Sequence, residues 1–148
     1  MLRHNGKTVL QEKTLKRILQ FLSDNSPFYL ATLTADGKPR VRPLGFVAVH
    51  GEKLYFGLGK HKDAYKQISA NPGVEICVTN PRNEWIRIAG NAVLDDNPAV
   101  KAEAFAALPM LKDIYNEKTG REIGFFHLAD MIAEFKDITG QTVQTIKT

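Results

Sequence analysis

The stretch Phe28-Tyr29-Leu30-Ala31-Thr32-Leu33-Thr34-Ala35-Asp36-Gly37-Lys38-Pro39-Arg40-Val41-Arg42-Pro43-Leu44 decides the fold class. Its first seven residues are rich in aromatic and strand-favouring types, and Asp36-Gly37 is the dipeptide of a tight hairpin turn. A second extended run follows from Pro39 to about His50. Strands joined this closely are antiparallel, because a parallel pair needs a crossover of a dozen or more residues.

Upstream, Leu15, Ile18, Leu19 and Leu22 recur at helical spacing within residues 11–23, with Lys13, Lys16, Arg17 and Gln20 opposite them. Ser26-Pro27 stops that amphipathic helix. Downstream, the turn Gly51-Glu52-Lys53 leads into a strand, Leu54–Leu58. Residues 60–71 return to helical chemistry, with Ala64, Tyr65 and Ile68 inward and Asn71-Pro72-Gly73 as the stop. Val74–Thr79 and Glu84–Leu94 read as a fourth and a fifth strand. Ala99–Leu108 and Leu111–Asn116 read as short helices, with Asp95-Asp96 capping the first. Met131–Ile138 reads as a last strand, with Phe125–Leu128 a candidate ahead of it. Six strands on short connections, with helices at three places, exclude a doubly wound parallel sheet and predict a mainly β, antiparallel barrel with peripheral helices.

At 148 residues with 43% hydrophobic content, the chain is expected to be one domain, residues 1–148. Twenty Lys and Arg against sixteen Asp and Glu leave a charge of +4, which favours anionic partners without choosing among them. Cys77 is the only cysteine. No disulfide within the chain or cysteine metal cluster can form, which suits a cytoplasmic protein. Cys77 sits between apolar neighbours and reads as a buried small hydrophobe. Met1–Glu12 is polar and no stretch is long enough to cross a bilayer, so neither export nor a membrane partner is expected. His4, His50, His61 and His127 show no metal-binding spacing, so no metal site is expected.

Three places carry possible binding chemistry. In Pro39–Val49, alternation puts Val41, Val47 and Val49 inward and Arg40, Arg42, Leu44 and Phe46 outward, while Pro43 marks an edge or bulge with backbone groups left for a flat heterocycle. In Phe56-Gly57-Leu58-Gly59-Lys60-His61-Lys62, a strand opens through two glycines into a helix start bearing Lys60 and Lys62. That arrangement suits a phosphate, although taken alone it more often marks a solvated helix start. Trp85 and Arg87 share one face of the fifth strand, with Ile86 and Ile88 turned to the core. The tryptophan could cover a planar ligand, anchor a subunit contact, or pack under a loop.

In order and spacing these segments resemble the FMN-binding split barrels of the pyridoxamine 5'-phosphate oxidase-like family. The resemblance runs through Phe28–Leu33, Asp36-Gly37-Lys38-Pro39, Arg42-Pro43-Leu44, Leu54-Tyr55-Phe56, Lys62, Asn71-Pro72 and Arg87-Ile88-Ala89-Gly90-Asn91-Ala92, and more weakly through Phe135–Gly140. The short length and Arg-Pro-Leu-Gly-Phe are similar to the small nitroimidazole-resistance and general-stress members. The resemblance implies a six-stranded split barrel, a homodimer, and FMN in clefts between subunits. Carried over, Arg42, Pro43 and Leu44 line the flavin, Phe56 and Gly57 lie beside it, Lys62 binds its phosphate, and Trp85 and Arg87 approach from the fifth strand of the same or the partner subunit; Arg40 and Lys60 add charge. Residues 140–148 do not match the tryptophan- and arginine-containing tail of the true oxidases, so the resemblance carries no expectation of vitamin B6 oxidation.

The implied activity is an FMN-dependent oxidoreductase that passes electrons from NAD(P)H to a small, nitroaromatic-like acceptor. A non-catalytic flavin-binding sensor or structural protein is the alternative. A nucleic-acid-binding barrel ranks below both, since the basic residues cluster at ligand-sized spots. Haem or deazaflavin F420 could replace FMN in the same fold.

Overall fold

The structure, a computed structural model, describes residues 2–148, with side chains from Glu12 onward. The strands are β1 (Phe28–Leu33), β2 (Pro39–Leu44), β3 (Val47–His50), β4 (Lys53–Gly59), β5 (Gly73–Thr79), β6 (Trp85–Leu94), β7 (Ile123–Lys136) and β8 (Thr142–Lys147). The helices are α1 (Leu2–Asp24), α2 (Asp63–Ala70), α3 (Pro98–Ala107) and α4 (Leu111–Ile114). The helix read at residues 11–23 therefore begins at Leu2. Met1, and the side chains of the polar N-terminal stretch including His4, lie outside the described residues.

All strand pairs are antiparallel, in the order β2-β1-β5-β6-β7-β4-β3, with β8 on β7 off that path. β2 and β3 stand at opposite ends of the order, yet only Gly45 and Phe46 separate them in the chain. A two-residue link reaches roughly 10 Å at full extension, so the sheet must curl until its ends meet. The result is a split barrel, mainly β as the sequence predicts.

The inner face follows strand alternation. Phe28, Leu30, Phe56, Ile76, Ile86, Ile88 and Phe126 are essentially inaccessible to solvent, and Leu15, Ile18 and Leu22 of α1 join the same cluster. The predicted inward Ile86 and Ile88 thus hold. The reading of residues 39–50 holds for Phe46, Val47 and Val49 and fails in β2. Register pairs Leu44 with Phe28, Arg42 with Leu30 and Arg40 with Thr32, so β2 turns Arg40, Arg42 and Leu44 to the inner side and leaves Val41 68% exposed. The chain bends at Gly45-Phe46, and one alternation cannot run through a bend. Val47 enters the main core, while Phe46 and Ala48 enter a second cluster on the outside of the barrel.

Eight strands stand where six were read. The bend makes two strands of Pro39–His50, β8 carries little apolar patterning, and β7 runs unbroken through both segments read near the C-terminus. Alternation hides that continuity: Phe126 and Leu128 face inward before Asp130, and Met131, Ala133 and Phe135 after it. Asp130 has φ 52°, opposite a register shift between Ala89 and Asn91, so a bulge changes which parity faces the core. Cys77 is also corrected. It alternates with the buried Ile76 and Val78 and is exposed on the outer face.

On the outer side of β3, β4 and β7, α3 covers the second cluster with Val100 and Ala104, against Phe46, Tyr55 and Phe125. Asn97, not Asp95 or Asp96, caps α3, accepting from the Ala99 and Val100 N–H groups. Asp95 instead accepts a 2.8 Å bond from the Tyr55 hydroxyl, and Asp96 accepts from the Phe125 N–H. His127 stands edge-on to Tyr55, with Nε2 3.8 Å from Asp95 and Nδ1 buried with no hydrogen-bond partner among the described residues.

Burial, reinforced by the charge of Lys53, holds the His127 imidazole below the ordinary histidine value, against the pull of Asp95. A histidine kept neutral by folding takes up a proton more readily when unfolded, so its stabilising effect is present above about pH 6.5 and is lost as pH falls through the lowered value. The urea midpoint should fall between pH 7.5 and pH 5, and fall less in His127→Gln. Equal drops in both proteins would place the acid sensitivity elsewhere.

Candidate functional site

The β2–β3 bend, the end of β4 and the start of α2 meet at a cleft of about 150 Å³ on the outer side of the barrel. Pro43, Leu44 and Gly45 form one side, Gly57, Leu58 and Gly59 another, and Lys62 stands at the end. Leu108, Leu111 and Tyr115 of the α3–α4 segment close over it.

The glycines of β4 let the walls of this cleft close on the strand. A Cβ on Gly57 would sit 3.2 Å from the Phe125 ring and 3.3 Å from Ile123 Cδ1. On Gly59 it would sit 2.6 Å from the Tyr115 hydroxyl. With no side chains here, Phe125 and Ile123 pack close against Gly57, and Tyr115 lies close against Gly59.

Lys62 occupies the N-cap position of α2 with extended backbone (φ −82°, ψ 151°), and no side chain caps the helix. The Tyr65 N–H donates to the Lys62 carbonyl, no side chain caps the N–H groups of Asp63 and Ala64, and the helix dipole favours negative charge beside them. Among the described residues no carboxylate lies within ion-pair distance of Lys62. Lys60 differs. Its ammonium is 2.7 Å from Asp96 and 3.3 Å from Glu122, and the bond to Asp96 is the main cause of its raised pKa.

Of the residues singled out in the sequence, Pro43, Leu44, Gly57 and Lys62 come together in this cleft. The others do not join them within one chain. The Arg42 guanidinium is turned inward, donating to Thr32 Oγ1 at 2.6 Å, Gln67 Oε1 at 2.9 Å and the Leu30 carbonyl at 3.3 Å. Burial lowers its pKa, opposed by Asp63. Arg40 is exposed and bonds the Pro39 carbonyl. Phe56 is fully buried, stacked on Phe126 in the core, so its side chain is closed off from any ligand. Lys60 is held by its two carboxylates. Trp85 faces a different cavity, beside α1, and Arg87 lies 5.6 Å from the Trp85 ring and 3.5 Å from Glu134.

Sequence reasoning missed Leu108, Leu111 and Tyr115. They belong to a segment whose helical spacing was legible but whose docking place was not, because the cleft they cover is built by β4, some fifty residues earlier in the chain. Among the described residues, no group of three or more His, Cys, Asp or Glu is placed to hold a metal ion, and no helix is long and apolar enough to cross a membrane.

Comparison with known proteins agrees with this architecture. Residues 14–130 match the family profile described as pyridoxamine 5'-phosphate oxidase. A NimC/NimA family protein from Clostridium acetobutylicum is similar over 95% of this chain and 96% of its own, with 34% identity and a TM-score of 0.82. General stress protein 26 from Bacillus anthracis covers 88% of this chain and 98% of its own at 16% identity, with a TM-score of 0.65. An F420 reductase covers 76% of this chain and 94% of its own at 24% identity, with a TM-score of 0.55. Those last two likenesses concern the fold alone. Among curated proteins none matches. With a profile match over most of its length and a full-length relative at 34% identity, the chain belongs to the pyridoxamine 5'-phosphate oxidase-like family of split barrels.

Proposed function

We propose that the protein is a homodimeric FMN-dependent oxidoreductase that takes electrons from NAD(P)H and delivers them to a small planar acceptor of the nitroaromatic type. The observation that carries this reading is the unpaired Lys62 ammonium at the uncapped start of α2, facing a cleft whose other walls are backbone and apolar side chains. FMN needs charge at its phosphate, hydrogen-bonding groups along the ring edge and apolar cover over the ring faces. Lys62 and the first turn of α2 would hold the phosphate. The backbone of Pro43-Leu44-Gly45, at a sheet edge paired only to β1, would meet the ring, with Leu108 and Leu111 as cover. The flavin, when bound, supplies the electron transfer itself. The chain's own residues orient it and exclude water.

The cleft of one chain is smaller than the roughly 300–1,000 Å³ of small-molecule pockets, which favours a second wall from another copy. The outer face of the sheet offers the contact. Tyr29 is 47% exposed, Val41 68% and Ile132 41%. Val41, Ala31, Glu75, Ala89 and Ile132 form one row across five paired strands, from β2 to β7. A row that is apolar on both sides of the central, exposed Glu75 is a surface that a second chain can bury where it supplies a partner for that carboxylate.

Lys62→Glu should weaken FMN binding by roughly tenfold or more, because a charge-assisted contact to phosphate is replaced by repulsion. Riboflavin, which lacks the phosphate, should bind the variant as it binds the parent. Equal loss of both ligands in a fluorescence titration would remove Lys62 from the phosphate. Under anaerobic conditions NADH or NADPH should bleach the bound flavin, and a nitroaromatic should restore its colour. A flavin that neither nicotinamide reduces would point to the non-catalytic alternative. Dilution to monomer should release FMN in step with dissociation, as followed by sedimentation and flavin emission; a monomer that keeps its flavin would end the interface assignment.

A further inference from the structure

Away from the cleft, α1, the turn between β5 and β6, and β7 with β8 enclose a second cavity of about 550 Å³. Phe21, Phe135 and Trp85 form its aromatic walls. Phe21 and Phe135 meet edge to face with centroids 5.5 Å apart, which fixes both rings.

Charged groups also reach this space, and most already have partners. Arg82 and Glu84 pair at 3.1 Å, Lys136 is 3.1 Å from Glu134, and Asp24 accepts from Gln20 at 2.7 Å. Arg17 stands apart. Its guanidinium lies over the Phe135 ring, 4.7 Å from the centroid, and it donates to the Gln144 side chain. Among the described residues no carboxylate comes within ion-pair distance of it. With the guanidinium over the ring and one nitrogen donating to Gln144, the remaining N–H donors are left for an anion, and a carboxylate matches a pair of them.

We infer that this cavity binds a planar aromatic monocarboxylate, with the ring against Trp85, Phe21 and Phe135 and the carboxylate on Arg17. The ring walls select a flat apolar body. With Arg82 paired to Glu84 and Lys136 to Glu134, Asp24 adds a negative charge to the same lining and disfavours a second one on the ligand. The inference does not rest on the flavin reading, since none of the residues it uses lines the cleft at Lys62.

Trp85 is the only tryptophan in the chain, so its emission reports this cavity directly. Flavin-free full-length protein is titrated with 4-nitrobenzoate and with nitrobenzene, its neutral counterpart. The carboxylate should quench Trp85 saturably, and nitrobenzene should quench in simple proportion to its concentration. Arg17→Gln should weaken the carboxylate by roughly tenfold or more. Arg17→Lys keeps the charge without the fork and should fall between. Lys16→Gln, which removes the same charge one residue away on α1, should bind as the parent does. Unchanged thermal unfolding of each variant separates lost contact from lost fold. Quenching without saturation, equal affinity in Arg17→Gln, or displacement of the carboxylate by FMN would overturn the inference. So would Trp85 emission that changes with protein concentration alone, because a second copy would then occupy the cavity. A protein that takes up no FMN yet passes this test would lose the proposed oxidoreductase function and keep this site.

Discussion

The two residues Gly45 and Phe46 set the geometry on which the rest depends. Because they must join opposite ends of the sheet order, the sheet has no freedom to stay open, and its inner face becomes a closed apolar interior. The same seam places the free edge of β2 beside the glycine-bearing end of β4 and the start of α2. The cleft therefore forms where the barrel closes, and its backbone groups are those that closure leaves without a neighbouring strand. Phe46, turned outward at the seam, contacts Phe125 edge to face at 6.0 Å and helps seat the α3–α4 layer that covers the cleft.

Fold class and most element positions were legible because they depend on local signals. Asp36-Gly37, the alternation of Val74–Thr79 and the helical spacing of Leu15, Ile18 and Leu22 each express a physical preference over a few residues. What failed was parity. In β2 the apolar Val41 suggested one inward set, yet pairing with β1 gives that side to Arg40, Arg42 and Leu44, because an arginine can sit inward when Thr32, Gln67 and a carbonyl satisfy it. In β7 the bulge at Asp130 exchanges the inward set midway. Alternation shows that residues share a face, and tertiary pairing decides which face that is.

The candidate site was legible in residue type and illegible in partnership. Lys60 and Lys62 look equivalent in the sequence, two residues apart at one helix start. They are told apart by Asp96 and Glu122, which arrive from distant connections and neutralise only Lys60. Phe56 and Gly57 were adjacent candidates, and strand alternation sends one into the core and opens the other to the cleft. Trp85 was recognised as unusual, but its neighbours Phe21 and Arg17 come from α1, which no spacing argument could bring to it.

The prolines of β2 have one more consequence. Pro39 and Pro43 lie four residues apart, so the donors they lack fall on the same side of the strand, and a strand accommodates proline where that side has no partner. The unpaired side of β2 thus offers fewer N–H groups than an ordinary edge, and Arg40 is exposed beside it. Such an edge is a poor template for strand-to-strand growth. The barrel can remain split, with its seam accessible to small molecules, without inviting other chains to extend its sheet into a fibril.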